Sequence, residues 1–171
     1  VLGISPQATV TTVQLTSPLI LGNIRVAQVV VGTSQGDLIT GSDQGEALAG
    51  GQGKDKMTGG GGPDAFVFEA PGQFGRKSAD LITDFNPDQG DKVVLSSDAF
   101  DGIGSIRFAV VTGKKEVKQA SRSSNNLVYD DAKGILYFDA NGKKSGWGDG
   151  GQFVQLLGAP DIARGDIIIA G

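Results

Sequence analysis

Four acidic residues, Asp37, Glu46, Asp55 and Asp64, follow one another at intervals of nine residues, and each is followed two positions on by a large apolar residue, Ile39, Leu48, Met57 or Phe66. The block that holds them divides into GTSQGDLIT from Gly32, GSDQGEALA from Gly41, GGQGKDKMT from Gly50 and GGGGPDAFV from Gly59. A constant period for both an acid and a hydrophobe marks a structural repeat, because a flexible Gly-rich linker has no reason to hold either in phase. The residue types point to cation chemistry. Glycine lets the backbone take positive φ and turn carbonyl oxygens inward, and the acid adds a hard anionic oxygen. Such turns offer the all-oxygen shell of roughly six to eight ligands that Ca2+ prefers. The apolar member of each unit faces inward from a short strand, which predicts a core ladder of Ile39, Leu48, Met57 and Phe66 between two parallel sheets.

Composition narrows the alternatives. The 171 residues include no Cys and no His, which removes disulfides, thiolate metal sites, His-ligated zinc and the Ser-His-Asp and Cys-His catalytic arrangements. Carboxylates, Lys, Tyr or a metal would have to carry any reaction, and no pairing of nucleophile and base stands out. The chain is therefore not expected to be an enzyme, and catalysis, if any, would lie in another part of a parent protein. The net charge is −4, with Lys and Arg scattered among the acids, so there is no basic footprint for nucleic acid and no polybasic membrane anchor. No apolar run approaches the ~20 residues of a membrane-spanning helix, and a signal-peptide pattern is missing at the N-terminus. A start at Val1 rather than Met is what a fragment or processed product would show.

The elements that position the acids are β-strands. Residues 1–31 alternate Val, Leu, Ile and Thr with polar residues, punctuated by Pro6 and Pro18, and predict two to four short strands. From residue 80 onward ADLITDF, DKVVL, SIRFAVV, NLVYD, GILYFD, QFVQLL and DIII recur about every 8 to 12 residues, as antiparallel strands and hairpins do. Asn141-Gly142 signals a two-residue turn, and Asp139 to Gly142 is more simply a hairpin turn than a ligand set. No helix is expected beyond one short turn in SSDAFDGI, where Ser97 and Asp98 can cap. Lys54 and Lys56 are expected to be exposed solubilising charges, and Trp147 is the single tryptophan available as an aromatic sugar platform.

The nonapeptide G-G-x-G-x-D-x-U-x is the calcium-binding repeat of RTX proteins. GGQGKDKMT and GGGGPDAFV fit every fixed position, while the first two units keep the opening Gly and carry Thr33, Gln35, Ser42 and Gln44 where glycine is usual. The block resembles that of the hemolysin-type family, including the C-terminal domain of serralysin-type secreted proteins. The resemblance implies an all-β fold, a right-handed parallel β-roll with flanking antiparallel β-strands. The resemblance covers roughly residues 32–171 and implies the β-roll at 32–79 and a β-rich cap with the secretion-signal region at 80–171; the N-terminal strands at 1–31, of unassigned role, lie outside it.

In that family turns two repeats apart stack and share an ion, each giving two carbonyls and an acid. Carried onto this chain, the resemblance implies one calcium ion held by Thr33, Gln35, Asp37, Gly50, Gln52 and Asp55. A second would use Ser42, Gln44, Glu46, Gly59, Gly61 and Asp64, with Glu46 departing from the usual Asp. SADLITDFNPDQGDKVVL resembles the segment after the repeats, whose acids, here Asp80 and Asp84, close the last turns. LVYDDAKGILYFDANGKKSG resembles the later hairpin and DIII the strand near a type I secretion signal. The implied function is a calcium-dependent folding and export module of a secreted or cell-surface protein, with the type I secretion apparatus as partner. Two other classes remain open: a module binding glycans or other surface components, and the non-catalytic part of a secreted hydrolase or polysaccharide-modifying enzyme.

Overall fold

The computed structural model describes residues 10–21, 24–69 and 74–171, so the part of the expected N-terminal strands that falls on residues 1–9 lies outside the described residues. The β-branched run before the repeats forms one antiparallel pair, β1 (Thr11–Leu21) and β2 (Ile24–Val31). In β2 the alternation is visible at once, with Ile24 and Val26 buried and Arg25 exposed between them.

Each nonapeptide supplies a turn and one strand of three or four residues: β3 (Leu38–Thr40), β4 (Glu46–Ala49), β5 (Lys56–Thr58) and β6 (Ala65–Phe68). Each Gly-rich turn carries the chain from one sheet to the other, so β3 pairs with β5 and β4 with β6, both in parallel. Two strands beyond the repeats continue the alternation, β7 (Asp80–Ile82) beside β5 and β8 (Lys92–Ser96) beside β6. The remaining elements are β9 (Phe108–Val111), α1 (Gly113–Ala120), β10 (Leu127–Asp130), β11 (Ile135–Phe138), β12 (Gly151–Leu156) and β13 (Ile167–Ala170). One sheet has six strands in the order β1-β2-β4-β6-β8-β13, the other seven in the order β3-β5-β7-β12-β11-β10-β9. Pairing runs across residues 31/32 and 79/80, since β2 joins β4 and β5 joins β7.

The predicted ladder of Ile39, Leu48, Met57 and Phe66 is fully buried between the sheets, with Ile39 opposite Met57 and Leu48 opposite Phe66. Ile82 and Val93 extend it by one residue on each side and connect it to Leu127, Tyr129, Leu136 and Leu156 in one core. Burying each large side chain stabilises by about 1.5–3 kcal/mol, which is what offsets the ordering of such short strands.

The expected all-β, right-handed parallel β-roll with flanking antiparallel strands is corrected: the molecule is mixed α/β, built on two mixed sheets and a helix. Parallel pairing is not confined to the repeats, because β12 runs parallel to β7 and β13 to β8, while antiparallel pairs occur at both ends of the chain. SIRFAVV and NLVYD, read as antiparallel, are the parallel strands β9 and β10. Between them lies the unexpected helix α1, whose sequence GKKEVKQA buries only Ala120, so too few apolar residues mark its period. It is made of good helix formers and begins where Glu116 accepts the N–H of Thr112 at 2.8 Å. The short turn in SSDAFDGI forms at Asp98–Phe100, without a side-chain cap from Ser97. Asn141-Gly142 does not make a two-residue hairpin either. Gly142 turns with φ +62° inside the longer connection 139–150, where Asp139 accepts the N–H groups of Asn141 and Gly142 at 3.0 and 2.9 Å.

Candidate metal centre

Turns two repeats apart lie on one another. Gln52 N donates to Thr33 O at 3.1 Å, joining turn 50–55 to turn 32–37, and Gly61 N donates to Ser42 O at 2.7 Å, joining 59–64 to 41–46. Glycine is required for this approach: Gly51 and Gly60 have φ of +91° and +96°, and a Cβ on either would overlap the carbonyl oxygen of Thr33 or Ser42.

The acids stand at the strand starts and bind the backbone of the preceding rung. Asp37 N donates to Asp55 Oδ1 at 2.8 Å and Asp55 N to Asp80 Oδ1 at 2.8 Å, forming one ladder. Glu46 N donates to Asp64 Oδ1 at 2.9 Å and Asp64 N to Asp91 Oδ1 at 3.0 Å, forming the other. Asp84 lies over turn 59–64 and takes the N–H groups of Gly59 and Gly60 at 2.9 and 2.8 Å.

Asp55 and Asp64 are each 1% exposed, and the Oδ2 of each is buried without a hydrogen-bond partner. Burial pushes both carboxyls up, against the N–H bonds from Asp37 and Glu46, and Asp64 reaches about 8 with help from Asp91, Glu46 and Asp84. Burial likewise carries Asp80 to about 7, opposed by the Asp55 N–H and Lys54, and raises Asp91. Buried anionic oxygens without partners are costly, and here they lie against glycines, since a Cβ on Gly50 or Gly59 would overlap the carboxylate of Asp55 or Asp64. The donors are all oxygen. A hard cation fits this cradle, and Ca2+ fits better than Mg2+, which demands a tight octahedron. Among the described residues no three acids converge on one point, so carbonyls and water would complete the shell of any ion held here.

The first set, Thr33, Gln35, Asp37, Gly50, Gln52 and Asp55, comes together in stacked turns. Gly50 O faces the α-carbon of Gly32 beside Asp37 Oδ2, and Gln35 O faces Gly53. Asp37 Oδ2 already accepts Thr33 N at 2.6 Å and Thr33 Oγ1 at 2.9 Å. The second set, Ser42, Gln44, Glu46, Gly59, Gly61 and Asp64, is stacked in the same way, but Glu46 is fully buried and bonded to Ser42 N, Ser42 Oγ and Gln28 Nε2. Asp80 and Asp84 close different edges, Asp80 the first ladder and Asp84 the turn of the second. Asp91, which completes the second ladder, was missed by the nine-residue count because its interval is longer. An acid-x-apolar pattern reveals it: Asp91-Lys92-Val93 and Asp80-Leu81-Ile82 repeat the spacing of Asp64-Ala65-Phe66.

No family model matches the chain, and no curated protein is significantly similar to it. Among the described residues no helix is long and apolar enough to cross a membrane.

Proposed function

We propose that this chain is a calcium-binding module of the RTX, hemolysin-type kind, which folds on Ca2+ and supports the secretion and stability of an extracellular or cell-surface protein. The reading is carried by Asp55 Oδ2 and Asp64 Oδ2, two buried carboxylate oxygens without hydrogen-bond partners in glycine-lined stacked turns. Asp37 and Asp55, with the carbonyls of Thr33, Gln35, Gly50 and Gln52, would hold one ion; Asp64, Asp84 and Asp91 stand around the neighbouring edge. When bound, calcium supplies the positive charge that these acids lack. The chain's own residues supply the rest: glycines admit the carbonyls, and the ladder N–H groups fix each carboxylate by one oxygen so that the other is presented. Such a site does not exist in the unfolded chain, so ion binding becomes folding free energy. In a low-calcium cytosol the chain stays export-competent for a type I secretion apparatus, and in calcium-rich surroundings it folds. The module itself is not an enzyme on this reading.

Calcium titration followed by circular dichroism and thermal melting tests it. Excess chelator is expected to remove much of the β signal and lower the melting temperature, with dissociation constants on the order of 10⁻⁴ to 10⁻³ M. An unchanged spectrum and melting temperature in chelator refute it. A glycan-binding role has one specific observation in its favour, the stacking of Tyr137 and Trp147 with centroids 4.9 Å apart and planes 12° from parallel. Retention of a glycan on an array, lost in Trp147→Ala, would support it.

A further inference from the structure

The ladder Glu46, Asp64, Asp91 meets β2 at its open end, where Gln28 pairs in register with Glu46 and Val30 with Leu48. Gln28 thus occupies the acid's place in the preceding rung and Val30 the apolar place, and Val30 is buried in the same core. Gln28 Nε2 donates to Glu46 Oε1 at 3.3 Å, Ser42 N donates to Oε2 at 3.0 Å, and the Ser42 hydroxyl also donates to Oε1. Both oxygens of this fully buried carboxylate are therefore held, whereas Asp55 and Asp64 each keep an oxygen with no donor at all. Charge-assisted hydrogen bonds are roughly twice as strong as neutral ones, so a cation would have to displace the bonds that already satisfy Glu46.

We infer that Gln28 is a positioning residue that ends the acid ladder, holding Glu46 as a hydrogen-bond acceptor so that turns 41–46 and 59–64 stack without an ion between them. This rests on the calcium reading of the stack and assigns the β1–β2 hairpin a role as its ion-free cap. The free oxygen of Asp64 then serves the gap on its other side, toward Asp84 and Asp91. The extra methylene of Glu46 and the side chain of Ser42, both departures from the repeat, are what let this side-chain network close the gap.

The test is titration calorimetry on the whole chain with calcium, paired with melting curves. Glu46→Gln, nearly isosteric and uncharged, is expected to keep the wild-type number of ions with affinity within about twofold, while Asp55→Asn loses an ion. Gln28→Glu restores a carboxylate to the rung and is expected to enlarge the rise in melting temperature that calcium produces, a readout that a purely packing role would leave unchanged. Loss of an ion in Glu46→Gln overturns the inference, and so does a wild-type calcium shift in Gln28→Glu. A wild-type chain that takes up no calcium refutes the calcium reading itself, which is a separate result.

Discussion

Asp64→Asn should act in opposite directions on the ion-free and calcium-loaded protein. Asp64 holds Glu46 N on one oxygen at 2.9 Å and leaves the other buried and unpartnered, and its carboxyl is pushed from 3.8 to about 8, first by burial and then by the neighbouring acids. The unfolded chain releases this proton near 3.8, so between that value and about 8 folding takes up a proton, and ion-free stability falls as pH rises. At pH 7 the loss is on the order of 4 kcal/mol. Asparagine keeps the acceptor for Glu46 N and removes the charge, but buries an amide without an acceptor, which costs about 1–3 kcal/mol. Charge removal wins. The ion-free variant should be more stable than wild type at pH 7 by about 1–3 kcal/mol, each kcal/mol raising Tm by about 2–4 °C at this chain length. Near pH 5 the advantage should vanish, since the penalty there, about 2 kcal/mol, only matches the cost of the buried amide. In saturating calcium the order reverses, because the variant has no anionic oxygen to give the ion. Melting curves from pH 5 to 9, in chelator and in calcium, read both signs. A variant destabilised equally in both solvents, at every pH, would refute the argument that Asp64 is an uncompensated buried acid awaiting a cation.

Phe66→Ala removes a fully buried ring whose centroid lies 5.9 Å from that of Phe85, and should cost about 3–5 kcal/mol in denaturant unfolding with calcium present. Gly60→Ala should destabilise more than Gly102→Ala in the same assay: both glycines have positive φ, +96° and +68°, but only a Cβ at Gly60 overlaps backbone, the Ser42 carbonyl. The strain common to both is about 1–3 kcal/mol. Calcium should raise Tm far more than magnesium at equal concentration, and equal shifts would show that the turns are not loose carbonyl cages.

The repeat was legible because two chemical requirements share one period. An acid is needed at each strand start and an apolar residue two positions on, so the period alone places Ile39, Leu48, Met57 and Phe66 in the core, where all four are buried. The stacking of turns two units apart comes from the family resemblance rather than from the period, and the bonds Gln52 N to Thr33 O and Gly61 N to Ser42 O join those turns. The overall architecture was not. Whether a strand such as DIII pairs in parallel depends on which distant edge is open, and here β8 accepts β13 over a separation that no local pattern records. Helix α1 escaped because a solvated helix with one buried residue needs little apolar period, and Asp91 because it follows its ladder neighbour by 27 residues where the repeats are 18 apart. Gln28 escaped for a different reason: an amide in a β-branched strand looks like any solvent-facing residue until the register sets it beside Glu46.

The two ends of the molecule differ in how much they need a cation. Around the turns, the three-residue strands β3 and β5 are ordered by one core side chain apiece, Ile39 and Met57, and by N–H bonds to carboxylates that burial disfavours in their charged form. Beyond β8 the strands carry more apolar contact: Phe100 packs edge-on against Phe138 and Phe153 at 5.2 Å each, and Leu127, Tyr129, Leu136 and Leu156 are all fully buried. Lys92, next to Asp91, reaches Asp166 at 2.7 Å and so ties the end of the second ladder to the segment that leads into β13. The Lys92 ammonium is paired with Asp166, so burial still raises the Asp91 carboxyl, just as Asp55 keeps an unpaired buried oxygen. Within the second ladder the amide of Gln28 satisfies Glu46 at one end, while burial disfavours the charged forms of Asp64 and Asp91 beyond it. On the proposed reading a bound ion would therefore act first on the turns and the short strands they join, and the apolar contact beyond β8 would depend on it less.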